Sequence, residues 1–163
     1  MSAAVLEITD EGLTEALLKI EGLAEAPRHE LTDGIGRLVQ EQTRRRIEEE
    51  KTSPAGQPWK ANRAGTSILY DSGALYRSID YISDADSITI GSGLIYARIH
   101  QEGGVIKPRY GNALKFWWES AGFVQFAVVK QVTMPRRQYL GLSAENQDDV
   151  VEAAEDWLGR LLQ

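Results

Sequence analysis

Two prolines and a glycine crowd into Thr52-Ser53-Pro54-Ala55-Gly56-Gln57-Pro58, and the hydrophobic pattern changes from one side of this break to the other. Upstream, apolar residues recur at helical spacing. A short strand from Ala4 to Thr9 leads into a helix capped by Thr9 or Asp10, with Leu13, Ala16, Leu17, Ile20 and Leu23 on one stripe. Gly22 and Pro27 punctuate its end. A longer helix follows from Arg28 to Lys51, with Leu31, Ile35, Leu38, Val39 and Ile47 on its buried face. Its second half, Glu41 to Glu50, is nearly all polar. Arg44 and Glu48, Arg45 and Glu49, and Arg46 and Glu50 are each four apart and should pair on the helix surface. Such an end is either solvated or projects towards another subunit.

Downstream of the break, Trp59 comes at once, and an aromatic in that position is expected to plug the adjacent core. From Thr66 the segments are β-like: Ser67–Tyr70, Ser78–Ser83 and Ser87–Gly91, the last two joined by the turn Ser83-Asp84-Ala85-Asp86. Asp71 to Ser78 reads as one helical turn capped by Asp71 or Ser72. A second helical turn, Leu94 to Gln101, closes at Gly103-Gly104. Residues 103–112 carry no periodic signal and are expected to form a flexible loop. Two strands, Ala113–Trp118 and Phe123–Thr133, flank a turn at 119–122; Pro135 ends the second. A final helix begins after Ser143, with Val150, Val151, Ala154, Trp157, Leu158 and Leu161 on one face.

The order helix, helix, antiparallel strands, helix predicts an α+β fold. In it an antiparallel β-sheet is packed by two N-terminal helices and one C-terminal helix. At 163 residues, with no linker or repeat to divide it, the chain is expected to be a single domain. Hydrophobic residues at 42% and charged residues at 26% are ordinary for a folded chain. There is no cysteine, which excludes a thiol nucleophile and a cysteine-ligated metal. The N-terminal Met1-Ser2-Ala3-Ala4 lacks a basic, then apolar, leader, and no apolar run approaches the ~18–20 residues of a membrane span. A soluble protein made in the cytoplasm, without membrane partners, is the expectation.

A net charge of −6 disfavours general nucleic-acid binding, but the charge is uneven. Residues 1–27 and 138–163 are strongly acidic. Residues 98–137 are basic, carrying Arg98, Lys107, Arg109, Lys115, Lys130, Arg136 and Arg137 against Glu102 and Glu119. Either these regions balance within one subunit, or acidic and basic surfaces meet head to tail between subunits.

Catalytic chemistry has little to stand on. His29 and His100 lack the near spacing of a metal motif, and Gly91-Ser92-Gly93 lacks the flanks of a nucleophile elbow. Asp84 and Asp86 resemble the start of a calcium loop without its later ligands. His100 and Glu102 could form an acid–base pair, though a structural histidine bonded to the loop after it fits the sequence better. No enzyme activity, catalytic residue, cofactor or metal is predicted.

Five blocks in order carry a family resemblance. Ser53-Pro54-Ala55-Gly56-Gln57-Pro58-Trp59 is similar to the S-P-x-G-x-x-W loop of the Mu-like virion-morphogenesis, or tail-completion, proteins of tailed bacteriophages. Ile68 to Ile79, with Asp71-Ser72-Gly73, then Ile90-Gly91-Ser92, then Tyr96 to Gly104, with His100 and Gly103-Gly104, follow in order. Met134-Pro135-Arg136-Arg137-Gln138-Tyr139-Leu140-Gly141-Leu142-Ser143 resembles the closing P-x-R-x-(F/Y)-L-G-(L/I)-S, with Arg137-Gln138 where small residues or proline are usual. Trp59, Asp71, Ser72, Gly73, Tyr96, His100, Gly103, Gly104, Pro135 and Tyr139 are read as structural motif residues.

The resemblance implies a structural virion protein acting in head–tail joining or tail completion as a neck or tail-terminator ring. Its partners would be further copies in a hexameric ring, neck or connector proteins and tail tube proteins, with DNA only as passing cargo. It would assemble in the host cytoplasm and then sit at the neck or tail end of the virion. Alternatives are an assembly factor absent from the mature virion and a small hydrolase using His100, Glu102 and a nearby arginine. In a ring, Arg44, Arg45, Arg46, Lys107, Arg109, Arg136 and Arg137 would sit at protein interfaces, where arginine pairs well with carboxylates.

Overall fold

The computed structural model describes residues 26–62, 65–120 and 122–162, with helical positions also at Leu18, Glu21 and Gly22. The expected strand from Ala4 to Thr9 and most of the first helix lie outside the described residues. Eighteen residues, Arg28–Arg45, form helix α1, and the chain then widens into a five-residue π-turn, Arg46–Glu50. Lys51 ends it in the left-handed conformation at φ 55°, its N–H donating to Arg46 O, five residues back, at 3.0 Å. The break predicted at Thr52–Pro58 is a closed loop. Thr52 and Pro58 bridge, and Trp59 N–H returns to Lys51 O at 2.9 Å.

The mixed α+β class holds, but the single sheet does not. Among the described residues the strands form three separate antiparallel pairs. Helix α2 (Ala74–Ser78) runs into β1 (Ile79–Ser83), which pairs with β2 (Ile88–Ser92) in the predicted hairpin. Asp84 shapes its turn by accepting from Asp86 N–H, Ser87 N–H and Ser87 Oγ–H, each at 2.8 Å. The carboxylate is thereby committed to a turn. Helix α3 (Ala97–Glu102) precedes β3 (Gly104–Ile106), which pairs with β6 (Val132–Met134). Between them β4 (Leu114–Ser120) and β5 (Phe123–Val129) make a ribbon of their own. Helix α4 (Ala144–Leu161) closes the chain.

Three sequence expectations need correction. Ser67–Tyr70 is a turn rather than a strand, with Leu69 at φ 59°. The loop at 103–112 begins with β3, because its main chain finds a partner in Val132–Met134. Residues Phe123–Thr133 make two strands with different partners instead of one.

Packing centres on Ile47, Trp59, Leu75, Ile79, Ala97 and Tyr139, all buried, so Trp59 does plug the core. Gly36 of α1 lies flat on the ring of Tyr81, where any Cβ would overlap the ring. That close approach holds α1 on the β1–β2 hairpin. Helix α4 begins with a full capping box: Ser143 Oγ accepts from Asn146 N–H at 3.1 Å, and the Asn146 side chain reaches back to Ser143 N–H. Its buried Trp157 and the bond from Gln42 Nε2 to Asp149 Oδ2, 2.8 Å, hold it against α1.

Candidate assembly surface

The closing motif, Met134 to Ser143, has almost no regular structure of its own, so its main chain must be held by side chains. Gln101 of α3 does this from one side. Its Oε1 accepts from both Tyr139 N–H and Leu140 N–H at 3.0 Å, and its Nε2 donates to Leu140 O at 3.2 Å. Arg46 of the π-turn works from the other side, donating to Tyr139 O, Gly141 O and Asn146 Oδ1. Trp59 Nε1 donates to Gln138 O at 3.1 Å, and Tyr139 Oη donates to Ala97 O at 3.2 Å. Buried backbone carbonyls rarely go unpaired, and here three elements supply the donors.

Arg137 works in the opposite direction. Its own N–H donates to His100 O at 2.8 Å, while its guanidinium donates to Lys60 O and Ala61 O. It thus ties the motif to the Pro58–Trp59 loop. Burial pushes both Arg46 and Arg137 below the usual arginine range, and Tyr139 above the usual tyrosine range. Gly103, at φ 71°, completes the joint: a Cβ there would lie 2.8 Å from Arg136 N. Only glycine lets α3 end so close to the motif.

These bonds correct the interface expectation for two residues. Arg46 is 1% exposed and Arg137 4%, so both are internal braces of one subunit. The predicted ion pairs also shift. Arg44 pairs with Glu41 at 2.9 Å and gives a second bond to Ile79 O, while Arg45 reaches Glu50 at 2.9 Å. Arg45 and Glu50 are five apart because the π-turn has more residues per turn than an α-helix. Arg46 keeps Glu50 at 3.7 Å. Arg45, Lys107, Arg109 and Arg136 are the members of the set that are exposed.

Beside the motif lies an open cleft of about 770 Å³, lined by Asp71, Ser72, Tyr96, His100, Met134 and Arg137 and by Trp117 and Trp118 of the ribbon. Gly73 takes the cap position of α2 at φ 71°, and Ser72 Oγ accepts from Ala74 N–H at 3.3 Å; Asp71 does not cap. Tyr96 and His100 meet edge to face with centroids 5.9 Å apart. Burial, and then the nearby Arg137 charge, holds His100 below the ordinary imidazole value, towards its neutral form. Glu102 is turned to Arg98 at 3.0 Å, so the acid–base pairing of His100 with Glu102 is not formed. Among the described residues no group of acids and histidines is arranged to hold a metal, and no helix is long and apolar enough to cross a membrane.

What sequence reasoning missed is the exposure of the ribbon, whose two strands and turn it did place. Phe123, Val124, Phe126, Val128 and Trp117 are all largely exposed. Apolar residues at successive positions of β5 suggest a strand covered on both faces. Here no covering is found among the described residues, and exposed apolar clusters of this kind often mark contact surfaces. A family model described as the phage virion morphogenesis family matches residues 8–159. No curated protein and no solved structure matches.

Proposed function

We propose that this chain, which belongs to the phage virion morphogenesis family, is a structural subunit of head–tail joining or tail completion that works as a ring at the neck. Membership gives it a role in building the phage particle. The finer reading rests on one observation: an apolar ribbon, exposed over most of its length, stands on a body braced by buried arginines. A rigid body with an adhesive arm suits a component of an ordered assembly, and its chemistry is contact rather than catalysis. Further copies in a hexamer, neck or connector proteins and tail tube proteins are its partners in this reading. DNA passes through as cargo, since a surplus of acids over bases gives phosphate little to bind.

The test is genetic and visual. A phage carrying an early stop in this gene should accumulate filled heads and free tails that do not join, as seen by electron microscopy. The wild-type gene supplied in trans should restore joined particles, with antibody against the chain labelling the neck. Normal joined, infectious particles without the chain would refute a joining role, and label absent from finished particles would favour a transient assembly factor.

A further inference from the structure

The open face of the ribbon and the outer stripe of α4 are both unpartnered among the described residues. In an antiparallel pair, residues directly opposite share a face and alternate along each strand. The register places Trp117 opposite Phe126, Lys115 opposite Val128 and Glu119 opposite Val124, all on one side. On that side Trp117 is 72% exposed, Phe126 62% and Val124 74%. The other side carries Phe116 and Trp118, half-buried, with ring centroids 5.8 Å apart.

Helix α4 shows the reverse arrangement of charge. Trp157 is buried, and Ala153 and Trp157 line a hollow with Leu31 and Ile35 of α1. Val151, Leu158 and Leu162, at spacings of seven and four, form a stripe about 100–140° around the helix from Trp157 and are exposed. The acids Asp148, Glu152 and Glu155 run along one flank of this stripe. The ribbon instead carries Lys115 on its open face and Lys130 at its base. The lengths agree as well. Val124 to Val128 spans roughly 13 Å of strand, and Val151 to Leu162 roughly 16 Å of helix.

We infer that the open ribbon face of one copy seats on the outer α4 stripe of the next, with Lys115 and Lys130 beside Glu152 and Glu155. Two α4 stripes would bring acid against acid, whereas the ribbon brings Lys115 and Lys130 at its base, with Glu119 at the far end of the open face, so α4 selects the ribbon instead of another α4. Because the two patches are different surfaces, the contact is heterologous, the kind that repeats from copy to copy and makes a ring where the rotation between copies closes. This rests on the ring reading above and gives it an interface. The ribbon side offers roughly 500 Å² of mostly apolar surface, against about 800 Å² per partner in a stable pair. A single contact is therefore weak, and closure of the ring is what holds it.

Sedimentation of the full chain from micromolar to millimolar concentration tests this. The wild type should self-associate. Lys115→Glu with Lys130→Glu, and separately Glu152→Lys with Glu155→Lys, should each weaken association at least tenfold, with circular dichroism unchanged. Combining all four changes in one chain should restore association, and so should mixing the two paired variants. A four-change chain as weak as either pair, α4 reversals without effect, or a wild type monomeric throughout would overturn the inference. Loss of association on Glu119→Lys alone, which adds a base facing the α4 acids in the proposed contact, would mean ribbon on ribbon and would overturn it too. The expected pattern in solution together with normal joined particles in the stop mutant would sink the neck reading and leave the interface standing.

Discussion

The Met134–Ser143 motif and the β4–β5 ribbon handle the same problem in opposite ways. Neither belongs to a large sheet. The motif has little repetitive hydrogen bonding, yet side chains from α3, the π-turn and the Trp59 loop satisfy its main chain and bury Arg137 and Tyr139. The ribbon joins its two strands through seven opposed residue pairs, which leaves the outer edge of each strand unpaired, and it leaves the side chains of one face in solvent. A two-stranded ribbon alone is marginal in water, because it buries too little. The difference separates what the chain needs in order to fold from what it leaves open to solvent.

The sharpest way to break this comparison is at Arg46. Replacing it with alanine leaves Tyr139 O and Gly141 O without their donor, and Asn146 Oδ1 with only the long bond from Ser143 N–H. A loss of about 3–5 kcal/mol in urea unfolding is expected, as for removal of one member of a buried charged network. A loss below about 1 kcal/mol would show that the motif holds itself.

A smaller effect is expected from pH. His100 is held below the ordinary 6.5, so between the two values the unfolded chain binds a proton that the folded chain does not. Its contribution to stability is full above about pH 6.5 and is lost as pH falls from there towards the lowered value. Asp33 and Asp84, also lowered, act below 3.8, outside that window. His100→Gln should therefore flatten the melting temperature profile between pH 6.5 and 5; an unchanged slope would contradict the burial argument.

The smallest effect on folding is expected in the ribbon. Trp117→Ala should change monomer stability by no more than about 0.5 kcal/mol, as for an exposed site. A loss of several kcal/mol would mean that the ribbon is a fold element after all, and the comparison would collapse.

Elements specified by neighbouring residues were legible in the sequence. The 79–92 hairpin has its Asp84 turn, and α4 has its Ser143 cap, both within a few positions of what they control. The plug at Trp59 and the closure of α3 at Gly103 are local in the same sense. The failures depend on distant partners. Arg46 stands in a run of charges that suggests solvent, but its acceptors lie 93 to 100 residues further on. Arg137 reaches back 76 and 77 residues to two carbonyls. Strand β3 is defined only by β6, and three short pairs look the same in sequence as one continuous sheet. In sequence the exposed ribbon is indistinguishable from an ordinary pair of strands, because periodicity does not show what covers a face.

The π-turn has a consequence for how this chain tolerates change in length. It acts as a buffer: the wider turn holds one residue more than an α-turn and hands the chain on in nearly the same direction. Deleting Glu48 or Glu49 would let the helix recover its ordinary pitch, with the bond from Lys51 N–H to Arg46 O closing over four residues instead of five. Arg46 and Ile47 would keep their inward direction, and Trp59 would still be delivered to the core. Winding all five residues at α-helical pitch would instead bring the chain to Lys51 about 100° out of phase. In that short stretch the loss of one exposed acid is absorbed, where a change of pitch alone is not.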